Sequence, residues 1–113
     1  MPTFAVYTNL SKDKIPKDFL QQACAFVAKE LDKPEHYVIV RVHADPMMCI
    51  GMSSDPCASI EVKNITDGAK NKEHAVNITN FVESTLNIPK DRFFITFTNL
   101  RKEEVALNGK TFA

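Results

Sequence analysis

The chain has no excess of either charge: fourteen Lys and Arg stand against fourteen Asp and Glu. No basic block or stripe is present, which removes the electrostatic case for binding nucleic acid or an anionic membrane. A run of the roughly 20 apolar residues needed to span a bilayer is missing too. The opening MPTFAVYTNL holds no Lys or Arg, and its apolar stretch is too short and broken for a secretory leader; synthesis in the cytosol is expected. Cysteine is scarce and odd in number. Cys24, Cys49 and Cys57 fit neither a disulfide framework nor a zinc site, and His36, His43 and His74 are scattered. No metal and no cofactor is expected. The Asn-x-Ser/Thr triplets at Asn9, Asn64 and Asn77 read as chance occurrences, since a chain without a leader does not meet the glycosylation machinery.

What is present has a globular balance, 44% hydrophobic and 25% charged, at the usual size of one domain spanning residues 1–113. A chain this short buries only about two-thirds of the surface that its unfolded form exposes, so partners are expected to complete its core. Two segments repeat apolar residues at helical spacing. Ile15, Phe19, Ala23, Phe26, Val27 and Leu31 form one stripe, and Ile78, Phe81, Val82, Thr85 and Leu86 form another. Each ends short of a proline, Pro34 or Pro89. TFAVYT (3–8), YVIVRVH (37–43), ASIEVKNI (58–65) and RFFITFTNL (92–100) read as strands, followed by a short tail.

The halves resemble each other. Phe26, Val27, Leu31, Pro34, Val38, Val40 and Val42 find counterparts in Phe81, Val82, Leu86, Pro89, Phe93, Ile95 and Phe97, every pair 55 residues apart. The simplest architecture is α/β: a doubled βαβ unit sharing one four-stranded mixed sheet, with both helices on one face. On the other face Tyr37, Ile39 and Phe94 interrupt the polar alternation that a solvated sheet would show. Neighbouring subunits are expected to cover it.

Pro2 is a poor donor with which to begin a strand, because its nitrogen carries no amide proton. With Met1 removed, the same nitrogen becomes a secondary amine at the chain terminus. Two readings stand side by side: an ordinary terminus, or a reagent.

The segments MPTFAVYTNL, LDKPEHYV, GMSSDPCASIEV, LNIPKDRFFITF and NGKTFA together resemble the macrophage migration inhibitory factor family of the tautomerase superfamily, over essentially the whole chain. The resemblance implies a two-layer α/β subunit assembled as a homotrimer. It also implies keto–enol tautomerisation of a small aromatic α-keto acid such as phenylpyruvate, or of dopachrome compounds. By the same resemblance Pro2 is the catalytic base, and Lys33 holds the substrate carboxylate. Spacing alone would make Lys33 an ordinary helix C-terminal cation. The main chain of Ile65 faces the substrate, Asn64 stands where many relatives have Ser, and Tyr37 and Val105 line the mouth and wall. Phe94 and Thr96 come from a neighbouring subunit. A neutral Pro2 amine requires its pKa to be lowered by Lys33 and an apolar pocket.

Several positions depart from the pattern. Phe94 stands where Tyr is usual, Thr96 where one branch has Asn, Leu107 where some relatives have Trp, and Met52 where a second glycine would follow Gly51. Ile60 removes the CxxC that would begin at Cys57, so thiol–disulfide chemistry on that pair is not expected. The altered rim keeps an alternative open: a cytokine-like ligand of a cell-surface receptor of the invariant-chain type, its pocket vestigial. The resemblance also implies a cytoplasmic protein released by a leaderless route.

Overall fold

The computed structural model describes all 113 residues, Met1–Ala113. β1 (Pro2–Thr8) is followed by α1 (Phe19–Glu30) and β2 (Ile39–His43); β3 (Ala58–Ile65), α2 (Asn71–Leu86) and β4 (Phe93–Leu100) repeat that order. The four strands form one sheet in the order β2-β1-β3-β4. β1 pairs parallel with β2, β3 parallel with β4, and the halves meet in the antiparallel β1–β3 ladder. This is the doubled βαβ unit, a two-layer α/β fold with a mixed sheet.

Strand alternation decides the layers. Phe4 lies in register with Val40 on one side and Val62 on the other, and Val62 with Phe97. Phe4 and Val62 are buried, and Val40 and Phe97 pack against the same core. Phe19, Ala23 and Val27 of α1, with Ile78, Val82 and Leu86 of α2, close it from the helical layer. Burial of each such large side chain contributes about 1.5–3 kcal/mol. No helix is long and apolar enough to cross a membrane.

The repeat extends into the connections. Asp32 and Asn87, again 55 residues apart, are both left-handed at the helix ends (φ 54° and 55°). Pro34 and Pro89 each open a single 3-10 turn, Glu35–Tyr37 and Lys90–Arg92. Asp and Asn tolerate this backbone region better than most residues, and proline then bars the helix from continuing.

Three expectations need correction. Ile15 packs against the core but lies outside α1, ending the short Lys12–Lys14 turn. Pro16 behind it disfavours helical backbone there. Tyr37 belongs to a 3-10 turn and not to β2. The tail is also built: a Lys102–Glu104 turn precedes a hairpin of β5 (Ala106–Leu107) and β6 (Lys110–Thr111). Asn108 and Gly109 make its two-residue loop at φ 54° and 79°, the backbone that an Asn-Gly pair prefers.

Candidate functional site

β1 lies inside the sheet, so its first residue is fixed from two sides. Pro2 stands opposite Asn64 in the ladder, and its side chain is fully buried. As the first residue of the strand, proline forfeits no needed hydrogen bond. Met1 projects beyond it. The Met1 ammonium is pushed below its ordinary value of 8.0, first by burial and second by the charge of Lys33. The same two influences were expected at a Pro2 amine; here they act on the Met1 amine, with desolvation ahead of the cation.

Lys33 arrives by a defined helix stop. Asp32 takes the left-handed conformation, and the Lys33 N–H donates to Ala28 O at 2.9 Å while Asp32 N–H donates to Lys29 O at 3.3 Å. This double bond pattern turns the chain sharply past α1. The Lys33 ammonium then reaches across to the sheet, where Nζ donates to Ile65 O at 3.4 Å. It does not cap the carbonyls of its own helix, so the plain dipole role does not describe its contacts.

A cavity of about 320 Å³ opens at this corner, walled by Met1, Lys33, Pro34, Tyr37, Ile65 and Lys102. A more apolar cavity of about 340 Å³ beside it shares Met1 and Tyr37 and adds Val105 and Leu107. Asn64 lines the far side of Lys33 and Ile65. Its Oδ1 is buried with no hydrogen-bond partner.

The fold thus gathers Pro2, Lys33, Asn64, Ile65, Tyr37 and Val105 at one end of the sheet. It does not bring Phe94 and Thr96 there within one chain. Phe94 is in register with Ser59, and Ser59 with Tyr7, five residues along β1 from Pro2. At about 3.3 Å per residue that is roughly 17 Å. Both side chains lie exposed on the open face, Phe94 at 69%.

Two wall residues were missed in the sequence. Phe112 packs edge-on against Tyr37, with ring centroids 5.8 Å apart at 86°. Its N–H donates to the carbonyls of Lys102 and Val105 at 3.2 and 3.0 Å, which seats Lys102 at the cavity mouth. The Asn-Gly pair was the available signal, since a hairpin there folds the tail back over the site.

No cluster of three or more His, Cys, Asp or Glu is placed to hold a metal. The largest groove, about 630 Å³, lies between the helices among Phe26, Lys29, Glu30, His74, Asn77 and Phe81. There Glu30 Oε2 accepts from Asn77 at 3.0 Å and meets His74 Nδ1 at 2.7 Å, joining α1 to α2. None of the candidate site residues Pro2, Lys33, Tyr37, Asn64, Ile65, Phe94, Thr96 and Val105 lies in it.

Residues 1–113 match the family model described as macrophage migration inhibitory factor. The chain is 36% identical to macrophage migration inhibitory factor of Xenopus tropicalis, covering 100% of both chains. It is 40% identical to the homolog of Brugia malayi, with 99% of each covered. Among solved structures, macrophage migration inhibitory factor from Trichinella spiralis superposes with a TM-score of 0.92 at 33% identity, over 97% of this chain and 99% of that one.

Proposed function

The chain belongs to the macrophage migration inhibitory factor family, and on that premise we propose that it is a keto–enol tautomerase of small aromatic α-keto acids, phenylpyruvate and dopachrome compounds among them. Residues 1–113 act as one unit of that kind. The observation that carries the reading is the Met1 amine just before β1, held below its ordinary pKa by burial and by Lys33 at the mouth of a largely apolar cavity.

With Met1 removed, that environment passes to the Pro2 nitrogen. Neutral, Pro2 accepts the proton from the carbon next to the keto group. The bonding pair moves into the enolate, whose negative charge needs a nearby donor or cation. Protonated Pro2 then returns the proton to the other position, so no net acid or base is consumed. Lys33 pairs with the substrate carboxylate. Its bond to Ile65 O keeps the ammonium directed into the cavity. Tyr37 and Val105 wall the ring, and Asn64 stands behind Lys33 and Ile65.

Phe94 and Thr96 reach this cavity from a neighbouring subunit of a homotrimer. The exposed Ile39 and Phe94 on the open face support that assembly. Phenylalanine in the usual Tyr position keeps an aromatic wall and gives up a hydroxyl contact.

The deciding experiment combines intact mass, to prove a free Pro2, with a phenylpyruvate enolisation assay on the same sample. Pro2→Gly should cut turnover by about a hundredfold, the lower range of what a positioned base supplies, with circular dichroism unchanged. Background turnover by the Met1-free protein would end this reading.

Cytokine activity accompanies catalysis in the proposal, with the protein made in the cytoplasm and released without a leader. Its support is the family together with the rim at Phe94, Thr96 and Leu107, all of them exposed. Binding to the ectodomain of an invariant-chain receptor, retained by Pro2→Gly, would make signalling independent of the pocket; no binding by the wild type would remove the signalling role.

A further inference from the structure

The cavity at the chain terminus holds two lysines, and only one has a role so far. Lys33 enters from the end of α1, and Lys102 enters from the turn before the C-terminal hairpin. Neither has a carboxylate partner: the ion pairs of the chain are His74–Glu30, Arg101–Glu103 and Arg101–Glu104.

The acidic residues nearest Lys102 in sequence are already engaged. Glu104 Oε1 accepts from Arg101 N at 2.9 Å and from Arg101 Nε at 3.0 Å, and Glu103 Oε1 lies 3.7 Å from the same guanidinium. The turn therefore neutralises its own carboxylates locally and leaves its one lysine free. The main chain of Lys102 is fixed by the bond from Phe112 N, and Phe112 is braced against Tyr37. Besides the two lysines the lining is Met1, Pro34, Tyr37, Ile65 and Phe112. Two unpaired cations lining one otherwise apolar and aromatic cavity are complementary to a flat apolar body that carries two anions.

We propose that Lys102 is a second anion anchor of this cavity, so that the site prefers aromatic acids bearing two negative charges over those bearing one. This rests on the tautomerase reading only in taking Lys33 as the first anchor. The substrate class it selects is an aromatic α-keto acid with a second carboxylate or an equivalent acidic group on its ring.

The test is calorimetric binding of two ligands that cannot tautomerise, 4-carboxyphenylacetate as dianion and phenylacetate as monoanion, to Met1-free protein at low ionic strength. The dianion should bind roughly two- to fivefold more tightly, the range for a partly exposed ion pair, with the advantage shrinking as salt is added. Lys102→Gln should bring the ratio to about one, and Lys102→Glu should push it below one. Lys33→Gln should weaken both ligands. Equal binding by the wild type, a ratio untouched in Lys102→Gln, or no binding of either ligand overturns the second anchor. Phenylpyruvate turnover, read on the same sample, separates the two claims. Absent turnover with the ratio intact strikes the tautomerase reading alone, and a lost ratio with turnover intact strikes the anchor alone.

Discussion

Lys33 and Ile88 occupy equivalent positions in the two halves, one residue beyond a left-handed helix stop, and they have opposite fates. Ile88 is fully buried in the core, whereas Lys33 is half-buried at a cavity wall. Where the repeat keeps its chemistry it builds the core; where it breaks, at a lysine, it lines the cavity. Lys33 acts on the terminal amine, and removing it checks the stated order of causes. In the Met1-bearing protein, Lys33→Gln should return the amine only part of the way towards 8.0, since burial is the larger influence. A carbon-13 titration of the reductively methylated terminus reads this directly; complete recovery would reverse the order. The lowered value also has a stability sign. Below the ordinary value the unfolded chain binds more protons at this amine than the folded one. The Met1-bearing protein should therefore gain stability as pH rises through the folded pKa towards 8.0, and gain no more from this group above it. Met52 belongs to the same scale. The sequence shows a methionine where a second glycine would stand, but not that the glycine-like backbone survives: φ is 66° and the side chain is fully exposed. Relief of left-handed strain, less the extra freedom of glycine when unfolded, should make Met52→Gly more stable by about 0.5–1 kcal/mol in urea unfolding.

At the level of elements, the stretches legible in the sequence were those whose apolar residues keep one period. β1, β3 and β4 fall within a residue of their expected bounds, because each alternates or runs apolar between turn signals. α2 begins at Asn71, two turns before its first expected apolar residue, because NKEHAVN carries no stripe for its solvated start. The C-terminal hairpin was illegible for a different reason. Its strands are two residues each, too short for any period, and only the Asn-Gly loop announces it. That hairpin sets one wall of the cavity through Phe112. A methyl group at Gly109 would meet no atom within 4 Å, so Gly109→Ala tests backbone strain alone at φ 79°. It should cost about 1–2 kcal/mol locally and lower turnover several-fold by loosening Phe112 against Tyr37. Faster amide exchange at Lys110 and Phe112, compared with the wild type, would show the strain directly; unchanged exchange with unchanged turnover would detach the hairpin from the site.

For the whole molecule, the helix-facing side of the sheet is closed and the other is not. Tyr7 stacks on His43 with centroids 4.4 Å apart and accepts a hydrogen bond from Arg41 at 3.1 Å, a polar cluster beside the exposed Ile39. Pro2, Lys33, Asn64, Ile65, Tyr37 and Val105 converge in one chain because they sit at the N-terminal end of β1 and the last residues of β3, or on turns folded over them. Phe94 and Thr96 could not be placed there from one chain by any pattern, because register sets them opposite Tyr7 and Ala5, five and three residues along β1 from Pro2. On the proposed homotrimer, with the site shared between subunits, assembly and activity would be inseparable. Sedimentation should give about three times 12.7 kDa for the wild type. Ile39→Asp should give monomer with its circular dichroism retained and phenylpyruvate turnover lost, because a charge cannot be buried unpaired between sheets. A monomeric variant with full turnover would show that the cavity needs no neighbour.

The burial of Pro2 between two partner strands also sets a schedule. A peptidase that removes Met1 must draw the Met1–Pro2 bond into its own cleft in extended form, and once β1 is paired with β2 and β3 that bond is out of reach. Cleavage therefore belongs to the ribosome's time, before β2 and β3 exist as partners. On the proposed chemistry, a molecule that folds with Met1 in place carries an amide where the proposed base would be for as long as it stays folded.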